Sequence, residues 1–382
     1  MKKYILTIAF AGAMSAAIAQ GPILVWEENL GGTSSDVATS VSKTPDGGSI
    51  VAGYTYSTNG DVIGHISGAD VWVTKLSESG TVEWKRIYGG SGDDFAYSII
   101  RDTDGNYVFA GTSNSSNGDI AANLGAFDMW IVKLDASGNV LFSKTLGGSD
   151  DDAAFSLVQT SDKGYAMAGE TKSDFIAGIA NKGGYDAYIA KVNNAGTTVF
   201  QRLIGGSDDE SMKSIAQTSK GDLYAAGETE SNNFDVSGNK GGYDFFVTRL
   251  QKTGNLVWSK TYGGTTNDFA HSIVAAGKSI VIVGETESNN GDVPGNNGSD
   301  DFWVLKLQST GAIAFSKVFG GETSDIARSI ISTSTGLVVV GETESASGDV
   351  GENYGNDDYW FIKLNNSGTL QYEQVYGGAI TD

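Results

Sequence analysis

The chain has 382 residues, no cysteine, 53 glycines and 3 prolines, and 25 basic residues against 46 acidic ones give a formal charge of −21. The lack of thiols excludes disulfides, thiolate metal sites, thiol nucleophiles and a lipid-bearing cysteine, and the negative field disfavours nucleic acid as a partner. Ten per cent aromatic residues among so many glycines fit short strands and tight turns, not a disordered linker.

Lys2 and Lys3, the apolar run from Tyr4 to Phe10 and the small residues up to Ala19 form a signal-peptide pattern, with residues 1–19 removed and residues 20–382 forming a single domain. No later stretch approaches the roughly 20 apolar residues of a membrane-spanning helix. The expectation is an exported protein: secreted, on the cell surface, or periplasmic.

From residue 31 the chain repeats itself. Gly-Gly pairs begin at 31, 89, 147, 205, 263, 320 and 377, in steps of 58 or 57 residues, which marks a repeat architecture. The repeats run over 31–88, 89–146, 147–204, 205–262, 263–319 and 320–376. The two shorter steps trace to one residue missing from a hairpin turn, where deletion is cheapest.

Each repeat reads as four strands. In the second repeat the first strand is Asp94 to Ile100, alternating so that Asp94, Ala96 and Ser98 share a face, and the second runs from Tyr107 to Ala110 after an Asp-Gly turn. The third runs from Asp128 to Leu134 and the fourth from Val140 to Leu146, with Gly138 in the turn between them. Third strands are apolar on both alternating sets, as in Asp301 to Leu307, and such strands are covered on both sides. Small residues on the first strand suit a crowded axis. Together these features predict an all-β, six-bladed β-propeller of four-stranded antiparallel blades.

The fourth-strand pattern occurs seven times, because Ile23 to Leu30 matches Leu370 to Tyr376. One copy is surplus to six blades. The carboxy-terminal copy is tied to its blade by a short hairpin with a low closure cost and is the better candidate for the sheet.

Gly-Gly-x-x-x-Asp, the Asp-Gly-Gly turn at 46–48, Ala-Gly-x-Thr-x-Ser at 52–57, Gly-Asp at 60–61 and Asp-x-Trp-x-x-Lys-Leu at 70–76 carry a family likeness. Over residues 22–382 the chain resembles the bacterial secreted β-propeller repeats of exported Bacteroidetes proteins. That resemblance implies a surface or secreted scaffold, although some members carry labels such as endoglucanase. It leaves three readings: a noncatalytic binding scaffold for an envelope or extracellular protein or glycan, working as a monomer; a polysaccharide-active enzyme; and a fragment of a longer adhesin.

Several acids recur. Asp36, Asp94, Asp152, Glu210, Asp268 and Asp325 each precede a serine by four residues, and the expected role is to cap backbone N–H groups after the glycine pair while the serine bonds a neighbouring strand. Asp70, Asp128, Asp186, Asp244, Asp301 and Asp358 open the third strands. Five of them follow another aspartate by nine residues: Asp61, Asp119, Asp235, Asp292 and Asp349, with Ala177 breaking the pattern in repeat three. These pairs are the candidate calcium ligands, calcium being the one cofactor the sequence suggests.

Glu170, Glu228, Glu285 and Glu342 recur at one second-strand position. Repetition should give them similar surroundings and hence an acidic face of the propeller, not the two unlike environments that glycoside hydrolysis needs. All seven tryptophans occupy repeated strand positions and read as core, leaving Tyr56, Phe175 and Phe234 as loop aromatics. His65 and His271 form no triad with a serine and an acid. No catalytic residue emerges, and the best candidate binding face carries the long second-to-third-strand connections, such as Ser288 to Ser299, where the side chains differ between repeats.

Overall fold

The computed structural model describes residues 25–65 and 67–379; the signal-peptide reading lies outside them. The protein is all-β, and six four-stranded antiparallel sheets form the blades of a six-bladed β-propeller. Blade two shows the plan: Asp94–Arg101, Tyr107–Ser113, Asp128–Leu134 and Val140–Leu146, paired in chain order. Each third and fourth strand starts and ends where the apolar runs do. The second strand extends three residues further than its apolar start suggested, because Gly111, Thr112 and Ser113 continue the pairing with both neighbours. Among the described residues no helix is long and apolar enough to cross a membrane.

First strands of successive blades pack against one another, which places them innermost. The second and third strands of one blade lie on the first strand of the next. Five apolar clusters result, one at each junction from blades one and two to blades five and six. Trp303 stacks 4.2 Å from Phe245, and Phe302 4.5 Å from Trp360, each ring bridging two blades. Each fully buried ring of this size contributes roughly 1.5–3 kcal/mol.

Polar links repeat with the same period. Ser40, Ser156, Ser214 and Ser272 each accept a backbone N–H from the first strand of the next blade. All six first-strand acids accept the N–H of the second glycine of the pair, as expected. Hydroxyls at the end of the second strand complete the cap: Ser113 and Ser115 donate to Asp94, Thr343 and Ser345 to Asp325. The recurrent third-strand bases pair with turn acids, Lys75 with Asp46 and Lys191 with Asp162, above stems buried on the blade.

The carboxy-terminal fourth strand, Leu370–Tyr376, is in the sheet of blade six. Its amino-terminal counterpart over residues 25–30 has no strand pairing. Trp26 therefore departs from the core reading given to the tryptophans: it is 37% exposed and donates its indole N–H to the Glu78 carbonyl.

Candidate functional site at the inner strands

The inner strands do not alternate cleanly. In all six blades the register between first and second strands slips by one residue, leaving Thr39, Tyr97, Phe155, Lys213, His271 and Arg328 as the extra residues of β-bulges. The simple alternation read from Asp94, Ala96 and Ser98 fails at Tyr97 for this reason. A glycine opposite makes the bulge sterically feasible: a Cβ at Gly111 would lie 1.9 Å from the Phe95 carbonyl oxygen. The signal was present in the sequence as a lone glycine inside every second strand, at 53, 111, 169, 227, 284 and 341.

The bulged residues face the axis, because they touch across blades. Tyr97 and Phe155 lie 5.4 Å apart, the Lys213 ammonium is 4.7 Å from the Phe155 ring centre, and Arg328 Nη1 is 3.4 Å from His271 Nε2. Their chemistry divides the channel into two halves. In blades four to six the bulged residue is basic and meets the second-strand glutamate of its own blade: Lys213 with Glu228 at 3.0 Å, His271 with Glu285 at 3.4 Å, Arg328 with Glu342 at 2.5 Å. In blades one to three it is not. Phe155 stands where that base would be, and among the described residues Glu170 has no basic partner.

The four glutamates thus do not see the similar surroundings expected of them. Glu228 is buried, which pushes its pKa up despite Lys213. Glu170 sits close enough to Tyr97 and Tyr185 to help raise both phenols, Tyr97 to about 12, although burial is the larger cause for each.

A cavity of about 200 Å³ opens at this place, between blades two and three. Phe95, Tyr97, Phe127, Phe155 and Tyr185 form its walls, and Asp151 and Glu170 its acidic rim. Phe95 stacks on Tyr97 at 6.3 Å and meets Phe127 at 6.1 Å. Ala153 leaves the gap: the equivalent positions in blades two and five hold Phe95 and Phe269. A larger cavity, about 570 Å³ beside Ile63, Arg86, Tyr88 and Gly138, lies at the outer edge of blades one and two.

The candidate calcium ligands are regrouped by the fold. Partners nine residues apart in sequence turn to different glycine pairs. Asp61 accepts from Gly31 N, Asp119 from Gly89 N, Asp292 from Gly263 N and Asp349 from Gly320 N, and Asp235 donates its own N–H to the Gly205 carbonyl. Asp70, Asp128, Asp244, Asp301 and Asp358 instead pack against the first glycine of the following repeat. A Cβ on Gly320 would lie 2.0 Å from Asp301 Oδ1 and 2.7 Å from Asp325 Oδ2, so those oxygens from adjacent blades are within 4.7 Å of each other.

Lys182 and Lys240 further engage Asp235 and Asp292. Glycine N–H groups and lysines are partners for carboxylates, not for a cation. Among the described residues no three His, Asp or Glu are grouped to hold a metal ion. Burial pushes Asp128, Asp186 and Asp301 up to about 6 and Asp244 to about 7, with the next blade's acid adding to each rise.

No family model matches the chain. It is similar to the regulatory protein FlaEY of Caulobacter vibrioides, 25% identical over 202 residues that cover 48% of this chain and 21% of that protein, so the chain spans about a fifth of that relative's length. Among solved structures, hydrazine synthase of Kuenenia stuttgartiensis matches with a TM-score of 0.50 at 10% identity, covering 88% of this chain and 78% of that one. The WD40 β-propeller domain of Doa1 matches with a TM-score of 0.50 at 10% identity over 91% of this chain and 84% of that one. At such identity the two structures show a shared propeller fold and nothing about activity.

Proposed function

We propose that this β-propeller is an exported, noncatalytic binding scaffold whose ligand site is the aromatic cavity between blades two and three. One observation carries the reading: on a frame that otherwise repeats, the six axis-facing bulged residues all differ. The site has aromatic walls for an apolar stem and, in Glu170, a carboxylate whose repeat-matched base is replaced by Phe155. A cation stacked on aromatic faces beside a carboxylate is the complement of such a site. Lys213 over Phe155 and Lys172 over Tyr185, at 5.6 Å, show the chain's own lysines using these rings in that way. The partner we assign is an exposed lysine side chain of an extracellular or envelope protein.

The test is a binding screen of the mature chain against lysine-bearing peptides, envelope proteins and glycans, repeated with Glu170→Gln. Lysine peptides are expected to bind, and the variant to lose at least about tenfold in affinity, since a charge-assisted contact is worth around 1.5–3 kcal/mol. Binding of neutral glycans that the variant leaves unchanged would overturn the lysine assignment.

A second reading, polysaccharide hydrolysis, draws on the unlike surroundings of Glu170 and Glu228. The same screen decides it by the release of reducing ends. Lys213 engages one Glu228 oxygen, and no turnover is expected.

A further inference from the structure

Five blade junctions share one packing plan, and the meeting of blade six with blade one departs from it. Val41 on the first strand of blade one is 66% exposed, whereas its counterparts Ile99, Leu157, Ile215, Ile273 and Ile330 are 2–6% exposed. On blade six, Val340 is 40% and Tyr359 61% exposed, while the matching second- and third-strand residues of the other blades are fully buried. At every other junction these two kinds of surface cover each other. Here each lacks its cover.

The amino-terminal segment shows what belongs between them. Phe142, Phe200 and Phe315, each on a fourth strand, rest on the third-to-fourth-strand turn glycine of the next blade: Gly196, Gly254 and Gly368. Trp26, at the matching point of the surplus fourth-strand copy, rests on Gly80 of blade one in the same way, with ring carbons 2.7 Å from where a Cβ would be. Residues 25–30 therefore lie where the fourth strand of a blade preceding blade one would lie. That blade's other three strands are what the two exposed faces lack.

We infer that the gap between blades six and one is a docking site for three further β-strands of this same repeat pattern, which complete a seventh blade around the Trp26 segment. The first of these strands packs on Val340 and Tyr359. The second and third pack on Val41, and the pattern alternates apolar residues as the existing blades do. This is β-strand addition with a whole blade as the unit.

The experiment fuses a copy of residues 322–364, the first three strands of blade six, after Gly378, and compares hydroxyl-radical oxidation of Tyr359 and thermal stability in the extended and original chains. The expected result is rapid oxidation of Tyr359 in the original chain, strong protection in the extended one, and a higher Tm. Unchanged oxidation and Tm on extension would overturn the inference. Protection of Tyr359 already present in the original chain would also overturn it: in a monomer it would mean that blades six and one close on each other, and in an oligomer that a second copy covers the face. Oxidation of the original chain distinguishes these cases even if the extended one fails to fold.

Discussion

Gly227→Ala is expected to destabilise the protein by about 3 kcal/mol or more, a cost set by a single methyl group. The Cβ would lie 1.8 Å from the Ser211 carbonyl oxygen and 2.8 Å from Met212 Cα, both backbone atoms of the paired first strand. Neither can move without undoing the bulge at Lys213, and the strand is held on its far side by the next blade. An alanine at Gly64, where nothing lies within 4 Å of the new Cβ, meets no clash and bears only the backbone strain of a φ of 95°. Chemical denaturation of the two variants checks the prediction. Equal stability would mean that the bulge is not the reason for the second-strand glycine.

Stability is also expected to fall as the pH rises from 5 to 8, with Tm dropping by roughly 5 °C or more. Asp128, Asp152, Asp186 and Asp301 are pushed up to about 6 and Asp244 to about 7 from an ordinary 3.8, in each case chiefly by burial. The folded state therefore holds protons that the unfolded chain releases near pH 4. That contribution is complete below the unfolded value and is lost as the pH climbs through 6 to 7. Asp102 and Asp162 act oppositely, since hydrogen bonds and their lysines outweigh burial and hold both down to about 2. Their contribution is present above pH 4 and is lost only in stronger acid, which places the optimum near pH 4 to 5.

Asp244→Asn substitutes a neutral amide for the protonated acid and is expected to raise Tm at pH 8 while flattening the slope. Thermal melts across this range measure both effects. A Tm that climbs from pH 5 to pH 8 would contradict the burial-raised acids beside the glycine pairs.

Much of the fold was legible because repetition amplifies weak local signals. Third strands such as Asp128–Leu134 and fourth strands such as Val140–Leu146 end where their apolar runs end, since both are bounded by glycine turns. The caps from Asp94 and its equivalents also followed from spacing, because the contact is only four residues long. What was not legible depends on contacts between repeats. The pairing of Asp301 with Asp325 rather than with Asp292 arises at a blade boundary, which a nine-residue spacing does not express.

The glutamates misled for a related reason. Glu170 and Glu228 occupy identical local sequence, Gly-Glu-Thr, but the bulged residue beside them is Phe155 in one blade and Lys213 in the other. Once the second-strand glycine is read as a bulge marker, that difference becomes visible in the sequence.

Phe155→Lys tests the binding account most directly. The substitution rebuilds in blade three the base–glutamate pair that blade four holds in Lys213 and Glu228, so the fold should be retained while Glu170 gains an internal partner. Affinity for lysine-bearing peptides, measured by calorimetry against the unmodified chain, is expected to fall at least about tenfold in a chain that still folds. Unaltered affinity in a folded Phe155→Lys chain would contradict the account and place the ligand elsewhere on the propeller.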